Sequence, residues 1–294
     1  MKEHLNLILL NIFSSVLIVG LNKYLFSTLQ FHFPIILTSC HFFVTACVVT
    51  ATPRTKKERR QVPLHLIIYV AICRVLSIMT MNLNLKINSV ATYQLSKIAI
   101  LPSIVLAKRK RLSVRETIGV LMATTGVYFA TVRDPTIEMD GIYIAVVAVL
   151  TNVVSIMIGE RVKSKGFGAV QVMRKEMPLS TILLMLTIPF TEESVSVVIN
   201  EMTSYVMIVI VCTCICAAMI NSTAFMMITR IGSISYLMCG HAKTLLVLSM
   251  GLVARAYGGT ENDNDSVVGF WSLFAFCGVV IYSWNGATTS SNKK

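Results

Sequence analysis

Carboxylates are scarce in this chain and unevenly placed. Fourteen Asp and Glu stand against 26 Lys and Arg in 294 residues, and none falls in the long apolar stretches that hold Lys23, Arg74, Lys97 and Lys243. Without a membrane-embedded acid, proton-coupled transport has no obvious relay. Charge of either sign is sparse too. Only 14% of residues are charged and 55% are hydrophobic, with a mean hydropathy of +0.72, which excludes an ordinary soluble domain. No His/Cys/Asp/Glu constellation has metal-ligand spacing, no nucleophile is matched with a base, and no glycine-rich loop would cradle phosphate, so an enzyme is not indicated and no cofactor is implied. The eight cysteines (Cys40, Cys47, Cys73, Cys212, Cys214, Cys216, Cys239 and Cys277) all lie in apolar runs, which excludes a disulfide framework in the loops. No Pro/Ser-rich linker divides the chain, so residues 1–294 read as one membrane domain.

What is present is a series of apolar runs near the roughly 20 residues needed to cross a hydrocarbon core. They predict an all-α polytopic membrane protein with ten transmembrane helices at about 5–26, 33–52, 64–85, 88–107, 117–132, 141–159, 177–190, 202–228, 233–254 and 266–284. The first run is too long for a secretory signal, carries Asn22 and Lys23 and lacks a small-residue cleavage site, so it is expected to remain in the mature protein. The charge of +12 follows topology rather than a nucleic-acid face. Nineteen basic residues, among them Arg54, Lys56, Lys57, Arg59 and Arg60, the run Lys108 to Arg111, and Arg161, Lys163, Lys165, Arg174 and Lys175, fall on one side of the predicted spans. The other side holds Lys86, Arg133 and Arg255 against nine acids, Glu192 and Glu193 included. By the positive-inside rule both termini are cytosolic and the acidic loops face a lumen or the exterior.

A cation near the bilayer centre costs about 2.5–3.5 kcal/mol, so Lys23, Arg74, Lys97 and Lys243 should face the bundle and meet partners. With no acid beside them, the partner expected is an anionic substrate. The predicted fourth and ninth helices share a pattern: Tyr93 precedes Lys97 by four residues and Tyr236 precedes Lys243 by seven. One and two helical turns put each phenol on the face of its lysine. These helices are five apart in order, which fits two five-helix repeats, 1–135 and 136–294. An odd number of spans inverts the second repeat, the plan of many secondary transporters. Small and polar residues, Asn82, Asn84, Thr124 to Gly126, Asn221 and Gly278, mark interior faces, where packing is the ordinary explanation. Asn221 has a second possibility, because a carboxamide can read a sugar hydroxyl or a base edge. His41 reads as a hydrogen-bonded interior residue. Lys23, near a helix end, can snorkel to the interface, and Arg74 can bond backbone carbonyls.

Asn22-Lys23-Tyr24, Phe33-Pro34 and Leu37-Thr38 before His41-Phe42, Asn88 to Gln94 with Lys97, Asn221 with Phe225, and above all Gly240-His-Ala-Lys-Thr244 carry a resemblance. They resemble the triose-phosphate translocator and nucleotide-sugar transporter family of the drug/metabolite transporter superfamily, from the first helix to Tyr282-Ser-Trp284. The Gly-His-x-Lys-Thr sequence is similar to the Lys-Thr branch of nucleotide-sugar transporters, whereas plastid phosphate translocators carry Lys-Arg there. Thr244 therefore argues against triose phosphate.

The resemblance implies a ten-helix carrier in the Golgi or endoplasmic reticulum membrane that exchanges a cytosolic nucleotide sugar for lumenal nucleoside monophosphate by alternating access. It makes Lys97 and Lys243 the leading phosphate ligands, with Thr244, Tyr93, Tyr236, Asn221 and Lys23 as further substrate-binding candidates. The alternative on the same fold is an antiporter of triose phosphate or phosphoenolpyruvate. The partners implied are nucleotide sugar, nucleoside monophosphate and the lipid bilayer, not nucleic acid; oligomeric state, a homodimer included, stays open, as do the base and sugar. Where relatives commonly have Gln, a Tyr-rich turn and Pro, this chain has Gln171-Val-Met-Arg174-Lys175-Glu176-Met-Pro178. Whether Arg174 or Lys175 enters the cavity is open, and pairing of either with Glu176 would leave the charge count unchanged. Ile234 replaces a common Pro, and Lys293 and Lys294 are misplaced for a dilysine retrieval signal.

Overall fold

A computed structural model describes residues 2–31, 33–53, 61–88, 90–109, 112–131, 139–192, 203–257 and 265–291. The basic run 54–60 and most of the acidic loop residues lie outside them. The described residues are helical throughout: α1 Lys2–Ser27, α2 Pro34–Ala51, α3 Leu64–Ile87, α4 Val90–Lys108, α5 Val114–Thr131, α6 Met139–Ser164, α7 Ala169–Met185, the single turn α8 Ile188–Thr191, α9 Ser204–Arg230, α10 Ser233–Tyr257 and α11 Asp265–Ser291. Seven of these, α1, α2, α3, α6, α9, α10 and α11, are long and apolar enough to cross a membrane. The other three long helices, α4, α5 and α7, fall short of that measure because of polar residues such as Lys97, Glu116 and Arg174 to Glu176, or because of length.

The seventh predicted span, 177–190, needs correction. Its helix begins at Ala169, eight residues earlier, and ends at Met185. Gly166 ends α6 with φ +78°, a left-handed conformation that favours glycine. Gly168 then caps α7 and donates its N–H to Gln171 Oε1 at 3.3 Å. The charged run Arg174 to Glu176, left outside the predicted span, lies within this helix. Arg174 donates to Thr50 and Thr52 carbonyls at the end of α2 (2.9 and 2.8 Å), so it caps a helix C-terminus.

The chain forms two compact units that do not follow sequence order. One contains residues 1–76 and 155–232, the other 77–154 and 233–294. In the first unit α1 packs along α9, and α2 packs against both α7 and α9. The α1–α9 pair is antiparallel: Asn11 Nδ2 donates to Thr223 Oγ1 at 2.6 Å, while Tyr24 and Tyr205 hydroxyls meet at 3.2 Å. Leu25, Phe31, Phe33 and Leu37 bury against Val206, Val209, Ile210 and Cys214. Between α2 and α9, His41 Nε2 meets Thr213 Oγ1 at 3.1 Å, as the sequence suggested for His41. Lipid offers little hydrophobic drive between helices, so such polar contacts and close packing hold the pairs together at about 0.6–2 kcal/mol each. Glu192, beyond α8, accepts from the N–H groups of Ile35 and Ile36 at the start of α2. Burial pushes its carboxyl up and these two bonds pull it back.

Arg74 and Glu176 correct a second expectation, that the apolar interior holds no acid. Arg74 Nε lies 2.8 Å from Glu176 Oε1, and the carboxylate is fully buried. Ser180 donates to the same oxygen at 2.7 Å, and the guanidinium carbon sits 5.1 Å from the Phe225 ring centroid. Arg74 therefore has its counter-ion inside the protein, and the cation paired with Glu176 is Arg74 rather than Arg174 or Lys175.

In the second unit α5 and α11 pack in close antiparallel contact through glycine. A Cβ on Gly278 would stand 2.5 Å from Ala123 N, and one on Gly126 2.7 Å from Ala275. Asn88 Nδ2 ties the lower end of the unit by donating to Asn84 Oδ1 (2.8 Å) and Gly141 O (2.9 Å). Thr80 and Thr151 hydroxyls bridge α3 and α6 at 2.7 Å.

Two outcomes follow. Gly278→Leu must push backbone apart at the α5–α11 contact, and overpacking of this kind costs about 1–3 kcal/mol; the melting temperature of the detergent-purified protein should fall clearly, while Gly20→Leu, where a Cβ meets nothing, leaves it unchanged. Glu176→Ala strands the Arg74 charge and should destabilise by about 3 kcal/mol or more, whereas the double replacement Arg74→Met with Glu176→Leu recovers most of the loss. Denaturation of Arg74→Met, Glu176→Leu and their double variant measures the coupling.

Candidate functional site

Five of the seven candidate residues, Tyr93, Lys97, Tyr236, Lys243 and Thr244, lie in the second unit. Helices α4 and α10, which carry them, pack on each other and on α5. The contact is apolar and specific. Ile98, the residue after Lys97, and Leu245, two after Lys243, bury in one cluster with Val127 and Ala275, flanked by Leu95, Tyr128 and Val279. Ridge packing of α4 and α10 thus fixes where the two lysine stems leave their helices.

Lys97 is exposed and Lys243 half-buried. Lys97 Nζ lies 4.3 Å from the centroid of the Tyr93 ring, and Lys243 Nζ lies 5.8 Å from that of Tyr236. These are the one-turn and two-turn spacings legible in the sequence, now seen as ring contacts. Among the described residues neither lysine has an ion-pair partner, while Arg74 has one. Two ammonium groups on adjacent helices, with five or six N–H donors still to satisfy between them, are suited to a group rich in anionic oxygen.

Thr244 points back along its helix, its hydroxyl donating to Gly240 O at 3.2 Å. The oxygen lone pairs stay available as acceptors. His241 was passed over in the sequence: it is buried and its Nε2 has no hydrogen-bond partner. The signal for it was its place in the Gly240-His-Ala-Lys-Thr244 motif, two residues before Lys243 and roughly opposite on the helix. Ser235 and Tyr282 hydroxyls meet at 3.2 Å at the start of α10.

The other two candidates belong to the first unit. Asn221 donates to Thr45 Oγ1 at 3.2 Å, so its carboxamide serves the α2–α9 contact in this structure. Lys23 is exposed near the C-terminal end of α1, as snorkelling requires. No cluster of three His, Cys, Asp or Glu that could hold a metal ion occurs among the described residues. The eight cysteines are free thiols.

No family model matches the chain. A crystal structure aligned over 95% of this chain and 98% of its own has a TM-score of 0.72 at 15% identity, a likeness of fold. UDP-xylose transporter 3 of Arabidopsis thaliana is 32% identical over 94% of this chain and 78% of its own length. UDP-rhamnose/UDP-galactose transporter 2 from the same plant is 30% identical over 94% of this chain and 81% of its own. Seven apolar membrane-length helices and identity that runs almost end to end lead to one conclusion: the chain belongs to the nucleotide-sugar transporter family.

Proposed function

We propose that this protein exchanges a nucleotide sugar, of the uridine diphosphate class, for nucleoside monophosphate by alternating access. The observation that carries the reading is the contrast among the cations of the apolar stretches. Arg74 is neutralised by Glu176, while Lys97 and Lys243, on helices packed together through Ile98 and Leu245, have aromatic rings and no carboxylate. A diphosphate brings about two negative charges and several acceptors, the complement of two ammonium groups. The uridine assignment follows the names of the relatives, and the sugar is set by contacts beyond the lysine pair.

Coupling follows from the same charges. An empty carrier keeps two uncompensated cations in a weakly polar setting, at a cost of about 2.5–3.5 kcal/mol each on insertion scales. Either anionic ligand removes that cost, so the loaded protein changes conformation more readily than the empty one. Ten crossings arranged as two inverted five-helix repeats fit the helix pairing: the second long helix, α2, packs on the seventh, α7, and the fifth, α5, on the tenth, α11. The positive-inside rule then puts both termini in the cytosol, and the Golgi or endoplasmic reticulum is the membrane where such exchange supplies lumenal glycosylation.

Thermal stability of purified protein tests the site, since a ligand of the folded state raises the melting temperature by mass action. UMP and UDP-xylose should stabilise the protein; Lys97→Ala and Lys243→Ala should each remove that stabilisation, with the unliganded melting temperature kept. Retention of the shift in both variants would refute the assignment. Proteoliposomes loaded with UMP should take up labelled UDP-xylose many times faster than empty ones. Equal rates would contradict exchange, and competition by triose phosphate in place of UMP would move the substrate to small organic phosphates.

A further inference from the structure

We propose that Tyr93 and Tyr236 are positioning residues that stand in for the anion when the carrier is empty: each ring holds the ammonium of the lysine on its own helix, and substrate phosphate displaces it. This inference rests on the anion-site reading above.

Three features carry it. The contacts are local to one helix, at i to i+4 in α4 (4.3 Å) and i to i+7 in α10 (5.8 Å). Helix geometry therefore maintains them whatever rearrangement the rest of the protein makes. They also recur at both candidate phosphate ligands, neither of which has a carboxylate partner among the described residues. At Arg74 the ring of Phe225 comes from another helix and accompanies a true counter-ion, Glu176, at 2.8 Å. The magnitude, finally, is intermediate. A cation over an aromatic face gains roughly 0.5–2 kcal/mol, against about 2.5–3.5 kcal/mol for an uncompensated cation in the bilayer. The ring offsets part of the cost and leaves a reason to bind an anion.

A residue that favours the empty state and yields to ligand has an unusual signature: its removal strengthens binding. A tyrosine that touches the substrate, by hydroxyl or by stacking, does the opposite. Tyr93→Leu and Tyr236→Leu should each bind UMP roughly threefold to tenfold more tightly than wild type, the larger effect at Tyr93, whose ring is nearer. Tyr93→Phe and Tyr236→Phe keep the aromatic face and should stay within about twofold of wild type.

The test is titration of UMP into purified protein, with the unliganded melting temperature as a check on folding, followed by uptake of labelled UMP into proteoliposomes with and without internal UMP. The Leu variants should raise the ratio of exchange to uptake into empty vesicles, because the empty carrier has become harder to form. Unchanged or weaker UMP binding in the folded Leu variants would overturn the proposal. Should the Leu variants not fold, the Phe variants decide alone: a tenfold loss of UMP affinity in either would mean that the hydroxyl contacts ligand, and wild-type affinity would support the ring as the acting group. Lys97→Ala and Lys243→Ala are the controls that separate the two readings. If they still bind UMP, the anion site itself is wrong; if they lose UMP while the Leu variants weaken, only the stand-in role fails.

Discussion

An ammonium group inside an apolar helix bundle has to be matched by something, and the kind of match decides its role. A carboxylate neutralises it permanently and makes it part of the architecture. An aromatic face lowers its energy without cancelling its charge. This protein uses both arrangements. Arg74 has Glu176, with Ser180 completing one carboxylate oxygen, while Lys97 and Lys243 have Tyr93 and Tyr236. The first arrangement supplies its own counter-charge, although Glu176 Oε2 is buried without a hydrogen-bond partner. The second leaves the charge uncancelled, which is what the proposed anion site requires.

The scaffold is built from close approach rather than from hydrophobic exclusion, since lipid competes for every apolar face. Glycine at positions 126 and 278 brings α5 and α11 together, and α5 in turn backs the α4–α10 contact through Val127. In the other unit the same task falls to hydrogen bonds: Asn11 to Thr223, Asn221 to Thr45, and His41 to Thr213. Asn221 illustrates how a polar residue in a membrane helix is as readily an interhelical strut as a ligand.

Much of this was legible in the sequence because membrane insertion imposes a coarse grammar. Length and hydropathy located the helices. The Tyr-to-Lys spacings were readable because helical period alone places side chains on one face. Three things were not readable. The run Arg174-Lys175-Glu176 looked like loop, since nothing local announces that α2 ends with carbonyls in need of a donor or that Arg74, a hundred residues earlier, needs an acid. The partner of Asn221 is likewise 176 residues away. And the two compact units draw on both halves of the chain, so the shared location of Lys97 and Lys243 follows from tertiary packing that no local pattern encodes.

That shared location bears on how exchange can be enforced without a gate devoted to it. If the charges of an anion site were fully satisfied when empty, nothing would distinguish the empty carrier energetically, and substrate would leak in whichever direction its gradient pointed. If they were wholly unsatisfied, the empty state would cost several kcal/mol, a large share of the stability of a folded protein, and ligand would leave too slowly for turnover. Rings that recover part of the insertion cost, roughly 0.5–2 of about 2.5–3.5 kcal/mol, would place the protein between these limits. Under the proposed exchange, the empty state would be populated enough to reload and disfavoured enough to wait for cargo, and the spacing of two aromatic residues from two lysines would set tightness of coupling rather than identity of the sugar.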